Sequence, residues 1–218
     1  MHIVWVNDHA DFTGGCETYI HQTVKLLNQS GVSSSLLYQV GATINARFTA
    51  IFQGVFPMVD IKLQLKELDP DLIYIHGIND IGKLQQIAQS SIPKARFFHD
   101  QKPFCLREHK YTTIAHKTCS KKLGMGCYSC LGFINKEPLT NAIKISSLRN
   151  KNKELAINKR LEQFVVGSQY MAEQLLKHGF PEEKITVATL YASPSTQIFP
   201  ALNVEESVQT IPNQLLFV

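Results

Sequence analysis

The fold is decided by residues 2–17, HIVWVNDHADFTGGCE. The apolar run His2–Asn7 predicts a buried strand, the next residues are polar, and Gly14 and Gly15 stand where an amphipathic helix begins. This order opens a parallel α/β sheet. Two glycines let a backbone approach an anion, and the first N–H groups of a helix are unpaired, so the junction is a candidate phosphate site. A glycine pair that serves only the turn is the alternative.

Strand and helix patterns alternate along the rest of the chain. The further predicted strands are 35–40, 72–76, 95–99, 164–166 and 185–188. The predicted helices start at Gly15 and at residues 61, 81, 139 and 169, the fourth being a long basic helix over 139–161, and 41–57 receive no assignment. The alternation predicts an α/β fold, a Rossmann-like doubly wound parallel sheet with ligands at the carboxyl ends of its strands. A cysteine-containing excursion, 100–135, follows the fourth strand.

Composition and charge narrow the class of protein. The chain has 218 residues, 44% hydrophobic and 18% charged, which is typical of a globular protein with a buried core. It shows no signal-peptide pattern and no apolar stretch of membrane-spanning length, so we expect a cytoplasmic protein. Residues 101–160 carry thirteen Lys or Arg against three Glu, a net +10, whereas the rest of the chain carries −6 of the total +4.

The basic segment suits an acidic partner, such as anionic lipid at the inner membrane face or a charged glycan. A solvated helical face without a specific partner is the alternative. Aromatic side chains are sparse in 101–160, which argues against stacking on nucleic-acid bases, and we expect no nucleic-acid partner.

Four cysteines follow the fourth strand within 26 residues: Cys105, Cys119, Cys127 and Cys130. Thiolates at this spacing suit a closed, structural zinc site, with the CxxC pair as its knuckle and His109 or His116 as substitute ligands. A cytoplasmic location disfavours disulfides. Free packed thiols and a disulfide or redox role remain open beside zinc.

The end of the chain has a different composition. Residues 190–213 are polar and rich in Pro, Ser and Thr, and 214–218 is strand-like. We therefore expect a domain over 1–189, a linker over 190–213, and in 214–218 the first strand of a further domain.

Several segments together resemble the N-terminal, acceptor-side domain of the family 4 glycosyltransferases, which have the GT-B fold. The matching segments are GGCE at 14–17, DLIYIHG at 71–77, RFFHD at 96–100, VGS at 166–168 and GFPEEKI at 179–185. LLFV at 215–218 looks like the first strand of the second, nucleotide-sugar-binding domain. The resemblance covers nearly all of the chain, with ASP at 192–194 as a departure where many relatives have an Asn-Gly turn.

The resemblance implies transfer of a sugar, with retention, from a nucleotide-sugar to a glycan, a lipid or another hydroxyl acceptor, without a catalytic metal. Gly14 and Gly15 then lie against the donor diphosphate, and His99 hydrogen-bonds the reacting sugar, with Asp100 orienting its imidazole. Backbone amides and basic residues stabilise the leaving charge. The donor's base and ribose belong to the second domain, so we expect this chain alone to be inactive.

Three further residues are candidates for the acceptor side of the cleft: Glu17, His76 and Ser168. Glu17 alternatively favours the helix dipole, and Ser168 alternatively caps the helix that follows it. Two other classes of protein are alternatives. A non-enzymatic, zinc-stapled α/β module would bind nucleic acid or anionic lipid through 101–160. A Rossmann oxidoreductase is disfavoured because no third glycine follows Gly14 and Gly15 at the required spacing.

Overall fold

The computed structural model describes residues 1–112, 117–136 and 143–189. Its nine strands in that part are β1 (His2–Asn7), β2 (Ser33–Tyr38), β3 (Gly54–Pro57), β4 (Leu72–Ile75), β5 (Lys94–Phe98), β6 (Ile134–Lys136), β7 (Ile143–Ile145), β8 (Gln163–Val166) and β9 (Ile185–Val187). Seven of them form a parallel sheet in the order β3-β2-β1-β4-β5-β8-β9, and β6 pairs antiparallel with β7. The predicted Rossmann-like α/β fold is confirmed.

Helices cover both faces of the sheet. They are α1 (Gly15–Gln29), α2 (Ala46–Thr49), α3 (Ile61–Leu68), α4 (Ile81–Ala88), α5 (Gly126–Ser129), α6 (Leu148–Asn158) and α7 (Gln169–Lys177), with 3₁₀ turns at Lys102–Phe104 and Glu182–Lys184. Alternate residues of β1 point to opposite faces. Val4 and Val6 join a core with α3, α4, α6 and α7, and Ile3 and Trp5 join a core with α1 and α2.

The strand order creates the crevice in which a ligand would lie. From β1 the chain runs outward to β2 and β3, then crosses back to β4 on the other side of β1. Parallel sheets of this kind open between two strands whose connections leave in opposite directions, outside their carboxyl ends. Here that position lies between β1 and β4.

Two parts of the sequence prediction differ from the structure. Residues 41–57 received no assignment, yet they contain α2 and the edge strand β3, which is only four residues long. The predicted helix over 139–161 begins too early. Its helical part, α6, starts at Leu148, where the Ser147 hydroxyl accepts the Asn150 N–H at 3.3 Å. Ile143–Ile145 instead forms β7, so the excursion extends beyond residue 135 through residue 145.

Some expectations concern residues outside the described ranges. The linker over 190–213, the strand over 214–218 and His116 all lie there. Among the helices of the described residues, none combines the length and the apolar character that crossing a bilayer requires.

Candidate functional site

A cavity of about 230 Å³ opens at the carboxyl ends of β1, β4 and β5. Its walls are the loop after β1, the first turn of α1, the residues that follow β4 and β5, and two side chains of α6. Of the residues predicted for the site, it brings together Gly14, Gly15, Glu17, His76, His99 and Asp100. The cavity therefore occupies the crevice that the strand order creates.

Gly14 and Gly15 form the wall at the amino end of α1. Gly14 has an extended backbone, with φ −178°, and no side chain caps the helix. A Cβ at Gly15 would meet no atom within 4 Å, and one at Gly14 would meet only Glu17 Oε2, at 3.7 Å. Neither a positive φ nor crowding within the chain requires glycine here. The geometry of the turn therefore does not explain why both residues are glycine. The N–H groups at the start of α1 are uncapped and lie beside open space.

Asn7, at the end of β1, ties these walls together. Its amide nitrogen donates to His9 O and to Glu17 Oε1, both at 3.0 Å, and its Oδ1 accepts the Gly77 N–H at 3.0 Å. A Cβ at Gly77 would lie 2.6 Å from Asn7 Oδ1, so only glycine allows this approach. Glu17 is buried, and its carboxylate holds Asn7, which gives it a structural role in the wall.

Two imidazoles meet at the inner side of the cavity. His76 Nδ1 and His99 Nε2 are 2.8 Å apart and share one hydrogen bond. The His76 ring is stacked between Trp5 and Phe97, with ring centroids 5.2 Å and 5.9 Å away, and its buried Nε2 has no hydrogen-bond partner. His99 uses its Nε2 in this hydrogen bond, so its other ring nitrogen, Nδ1, does not contact His76.

Burial keeps both rings neutral. It lowers the pKa of His99 to about 4, with the Arg96 cation acting in the same direction and the Glu17 carboxylate opposing it. Burial lowers the pKa of His76 well below its ordinary value, and His99 and Arg96 lower it further. At neutral pH both imidazoles are therefore uncharged, and one donates to the other in their shared hydrogen bond.

The hydrogen-bond partner of His99 differs from the predicted one. Asp100 Oδ1 accepts the Lys102 N–H at 2.9 Å, and Asp100 Oδ2 lies 3.8 Å from Lys102 Nζ. His76, rather than Asp100, orients the imidazole of His99. Ser168 is not among the residues that line the cavity; its hydroxyl accepts the Met171 N–H at 3.3 Å and caps α7.

A buried cation lies beneath the cavity. Arg96 donates to Asn158 Oδ1 at 2.5 Å, and its Nη2 lies 3.8 Å from Glu154 Oε1. Lys151 Nζ contacts the other oxygen of Glu154 at 3.1 Å. These contacts link β5 to α6, and they place positive charge close to where an anion would sit.

A wider depression of about 560 Å³ adjoins this cavity, and Asp8, His9, Thr13 and Asn79 line both. Asp8 Oδ2 accepts the Asn79 N–H at 2.8 Å, whereas its buried Oδ1 has no partner. Burial raises the pKa of Asp8 above its ordinary value, and the Asn79 hydrogen bond opposes this.

Cys16, His76 and His99 place one ligand-type atom each within 4.8 Å of the others, the one such set found in the described ranges. His76 and His99 already use facing nitrogens for their own hydrogen bond. Burial raises the pKa of the Cys16 thiol, and the Glu17 carboxylate adds to the effect, so the thiol stays protonated. These contacts support a hydrogen-bonded network rather than a metal centre.

Sequence reasoning did not identify Asn7, Asp8 and Arg96 as site residues. The sequence did contain a signal. Asn7 and Asp8 stand at the end of the first strand, and Arg96 interrupts the apolar run 95–99, which forms most of β5. A polar residue at a carboxyl strand end, or a charge within a buried strand, is the pattern that would have found them.

Comparisons with known proteins bear on the fold. The chain matches the structure of a lipopolysaccharide outer core galactosyltransferase, WaaB, in its apo form, with a TM-score of 0.50 and 13% identity, over 94% of this chain and 50% of that one. Anabaena Alr3699/HepE in complex with UDP gives a TM-score of 0.49 and 14% identity, over 87% and 44%. A dTDP-glucose 4,6-dehydratase from Bacillus anthracis in complex with NAD gives 0.40 and 11%, over 76% and 53%.

The chain thus has the fold of about half of a galactosyltransferase structure. It spans about half the length of each of these solved structures. No protein-family model matches it, and no curated protein matches it in sequence.

Proposed function

We propose that this chain is the acceptor-side, N-terminal half of a retaining, family 4-type glycosyltransferase that moves a sugar from a nucleotide-sugar to a hydroxyl acceptor. One observation carries the proposal. Two glycines that neither backbone conformation nor crowding requires line the same cavity as the hydrogen-bonded pair His76 and His99, at the switch point of the sheet. The likeness to half of a galactosyltransferase fold supports the same reading.

The glycine wall is suited to the donor diphosphate. The uncapped N–H groups at the start of α1 donate to phosphate oxygens, and the absence of a Cβ at Gly15 lets those oxygens come close. Lys102, half-exposed on the rim, adds a positive charge. Charge that develops on the leaving diphosphate is then stabilised by donors already in place.

His99 acts on the sugar as a hydrogen-bonding group rather than as a proton donor with a pKa near 7. Its Nε2 is held by His76, so Nδ1 is the atom left for a sugar hydroxyl. His76 is a positioning residue, because its ring is clamped between Trp5 and Phe97. We place the acceptor hydroxyl group in the depression that Asp8 and His9 line beside the cavity.

A lipid-linked acceptor fits the surface of the excursion. In the β6–β7 ribbon Ile134 pairs with Ile145, and Ile134, Ile143 and Ile145 are 42%, 70% and 74% exposed. The ribbon lies within the segment that carries +10. Exposed apolar side chains among basic residues suit the surface of an anionic bilayer. The intact enzyme is accordingly cytoplasmic and touches the inner membrane face.

The test requires a polypeptide that continues this chain into a nucleotide-sugar-binding domain, supplied with a panel of nucleotide-sugars. We expect release of nucleoside diphosphate that depends on an acceptor. His99→Ala should lower turnover at least about tenfold, the equivalent of one hydrogen bond of about 1.4 kcal/mol. His109→Ala, an exposed histidine outside the cavity, is the matched control. Unchanged turnover in His99→Ala, or donor turnover by the 218 residues alone, would contradict the proposal.

A further inference from the structure

The excursion brings its four cysteines around a second, separate cavity of about 140 Å³. Cys105 follows the 3₁₀ turn after β5, and Cys119 lies on a short hairpin in which its N–H donates to Lys110 O at 2.7 Å. Cys127 and Cys130 lie in and just after α5. None of the four forms a disulfide, and all four line the cavity, although they span 26 residues of sequence.

The CxxC pair has the compact backbone of a metal-binding knuckle. Cys127 N–H donates to Gly124 O at 2.9 Å, and Gly132 N–H donates to Cys127 O at 3.1 Å, so the chain folds back over the pair. Leu131 adopts a positive φ of 54° to close this turn. A Cβ at Gly132 would come within 3.1 Å of Cys130 Sγ, so glycine keeps space beside the sulfur.

A buried lysine lies beside the thiols, and no counter-charge to it is found among the described residues. Lys110 is 2% exposed, and its Nζ donates to two neutral groups, Lys121 O at 2.7 Å and Gln174 Oε1 at 2.9 Å. Within the described residues no carboxylate forms an ion pair with it. Lys177 adds a second cation nearby, bonded to Ser120 O. A buried ammonium without an anion is costly, so an anionic group is expected in this cavity.

We propose that Cys105, Cys119, Cys127 and Cys130 bind one Zn²⁺ ion as a closed structural site, and that Lys110 offsets one of the two negative charges of the resulting complex. Four thiols and Zn²⁺ give a tetrathiolate of net charge −2 and release four protons, which pass to solvent. The anion lies beside Lys110 and offsets it. His109 is not needed, since it does not line this cavity and its Nδ1 contacts Arg107 O at 2.5 Å.

The sulfurs surround the cavity without yet converging, since the described residues place only Cys16, His76 and His99 within 4.8 Å of one another. We expect closure on a metal to come from rotation of the cysteine side chains. A change of χ1 rotamer moves a cysteine sulfur by about 3 Å, and the partly exposed thiols leave room for it. The bound ion would fasten the excursion, which begins directly after His99 and packs on α7 through Lys110 and Gln174.

The first experiment measures the metal content of the chain purified under reducing conditions, and the visible spectrum of its Co²⁺-substituted form. We expect one zinc per chain and a spectrum of tetrahedral cobalt bound to thiolates. Cys127→Ser should lose the metal. Cys16→Ser, which alters the other ligand-type cluster, should keep it. A metal-free protein that does not take up Zn²⁺, or a metal lost only in Cys16→Ser, would overturn the assignment.

A second variant keeps the test decisive if Cys127→Ser does not fold. Lys110→Met removes the buried ammonium and keeps most of its volume. We expect its zinc affinity to fall about tenfold or more, as for other residues next to metal ligands. After chelation of the metal the same variant should melt at a higher temperature than the wild-type chain, because an unpaired buried charge is gone. Zinc affinity equal to that of wild type would refute the charge-balance role of Lys110.

Discussion

Replacing Gly15 by alanine separates the stability of the fold from the function of the cleft. Gly15 is the first residue of α1, its φ is not positive, and a Cβ there meets no atom within 4 Å. The fold therefore accepts the methyl group without strain. In the proposed complex the same methyl group stands where the donor diphosphate approaches the helix.

The two effects have opposite signs. A Gly→Ala change at a compatible position stabilises a protein by about 0.4–1 kcal/mol, because the unfolded chain loses freedom. For a domain of this size that raises the melting temperature by about 1–4 °C. Displacing a phosphate from one charge-assisted hydrogen bond costs about 1.5–3 kcal/mol. Donor binding and transfer should then fall about 10- to 150-fold.

The assay pairs thermal unfolding of the chain with transfer kinetics of the polypeptide that includes the second domain. Gly124→Ala is the matched control, since a Cβ at Gly124 also meets nothing within 4 Å and Gly124 does not line the cavity. It should leave transfer unchanged. A Gly15→Ala protein with a higher melting temperature and undiminished transfer would refute the assignment of the diphosphate to this wall.

Three further predictions follow from the contacts. Burial holds the pKa of His99 at about 4, whereas the pKa of a histidine in the unfolded chain is about 6.5. Between these pH values the unfolded state binds more protons than the folded state. The free energy of unfolding should therefore fall by up to about 3 kcal/mol as the pH drops from about 6.5 to about 4. Denaturant unfolding against pH should show a smaller loss in His99→Gln, and an equal loss would speak against the buried neutral ring. Glu154→Leu leaves the buried Arg96 without its carboxylate and should cost about 3 kcal/mol in the same assay, whereas removal of the exposed pair by Asp100→Asn should cost less than about 1 kcal/mol. The double variant Ile143→Asp and Ile145→Asp should reduce sedimentation of the chain with anionic vesicles. The control Val59→Asp, at a 74% exposed site outside the ribbon, should not reduce it. An equal loss in both would show that the ribbon is not the membrane contact.

The sheet was predictable because its signals are local. Buried parallel strands are short apolar runs, as in β1, and β4, β5, β8 and β9 each follow a helix or a turn signal as well. The edge strand β3 was not predictable, since GVFP is short, half-exposed and ends in proline. The start of α6 was not predictable because Ile143–Ile145 pairs with Ile134–Lys136 as an antiparallel ribbon, and the pattern of 139–161 taken alone does not reveal this partner strand.

The candidate site was partly predictable. Strand ends identified His76 and His99 as neighbours of the cleft, yet the hydrogen bond between them is a contact between two loops that spacing along the chain does not reveal. For the same reason Asp100, next to His99 in sequence, was expected to orient it, whereas the structure turns Asp100 toward Lys102. For Ser168 the sequence indicated either a cleft position or a helix cap, and the structure shows the cap of α7, with the hydroxyl accepting the Met171 N–H.

The most direct measurement is an amide and imidazole NMR titration of the intact two-domain polypeptide with a nucleoside diphosphate and then with its nucleotide-sugar. The diphosphate should shift the amide signals of Gly14, Gly15 and Cys16, and the sugar should add a shift at the His99 ring. Saturating ligand that leaves these signals unmoved, while it shifts signals elsewhere in the protein, would contradict a sugar-transfer site in this cleft.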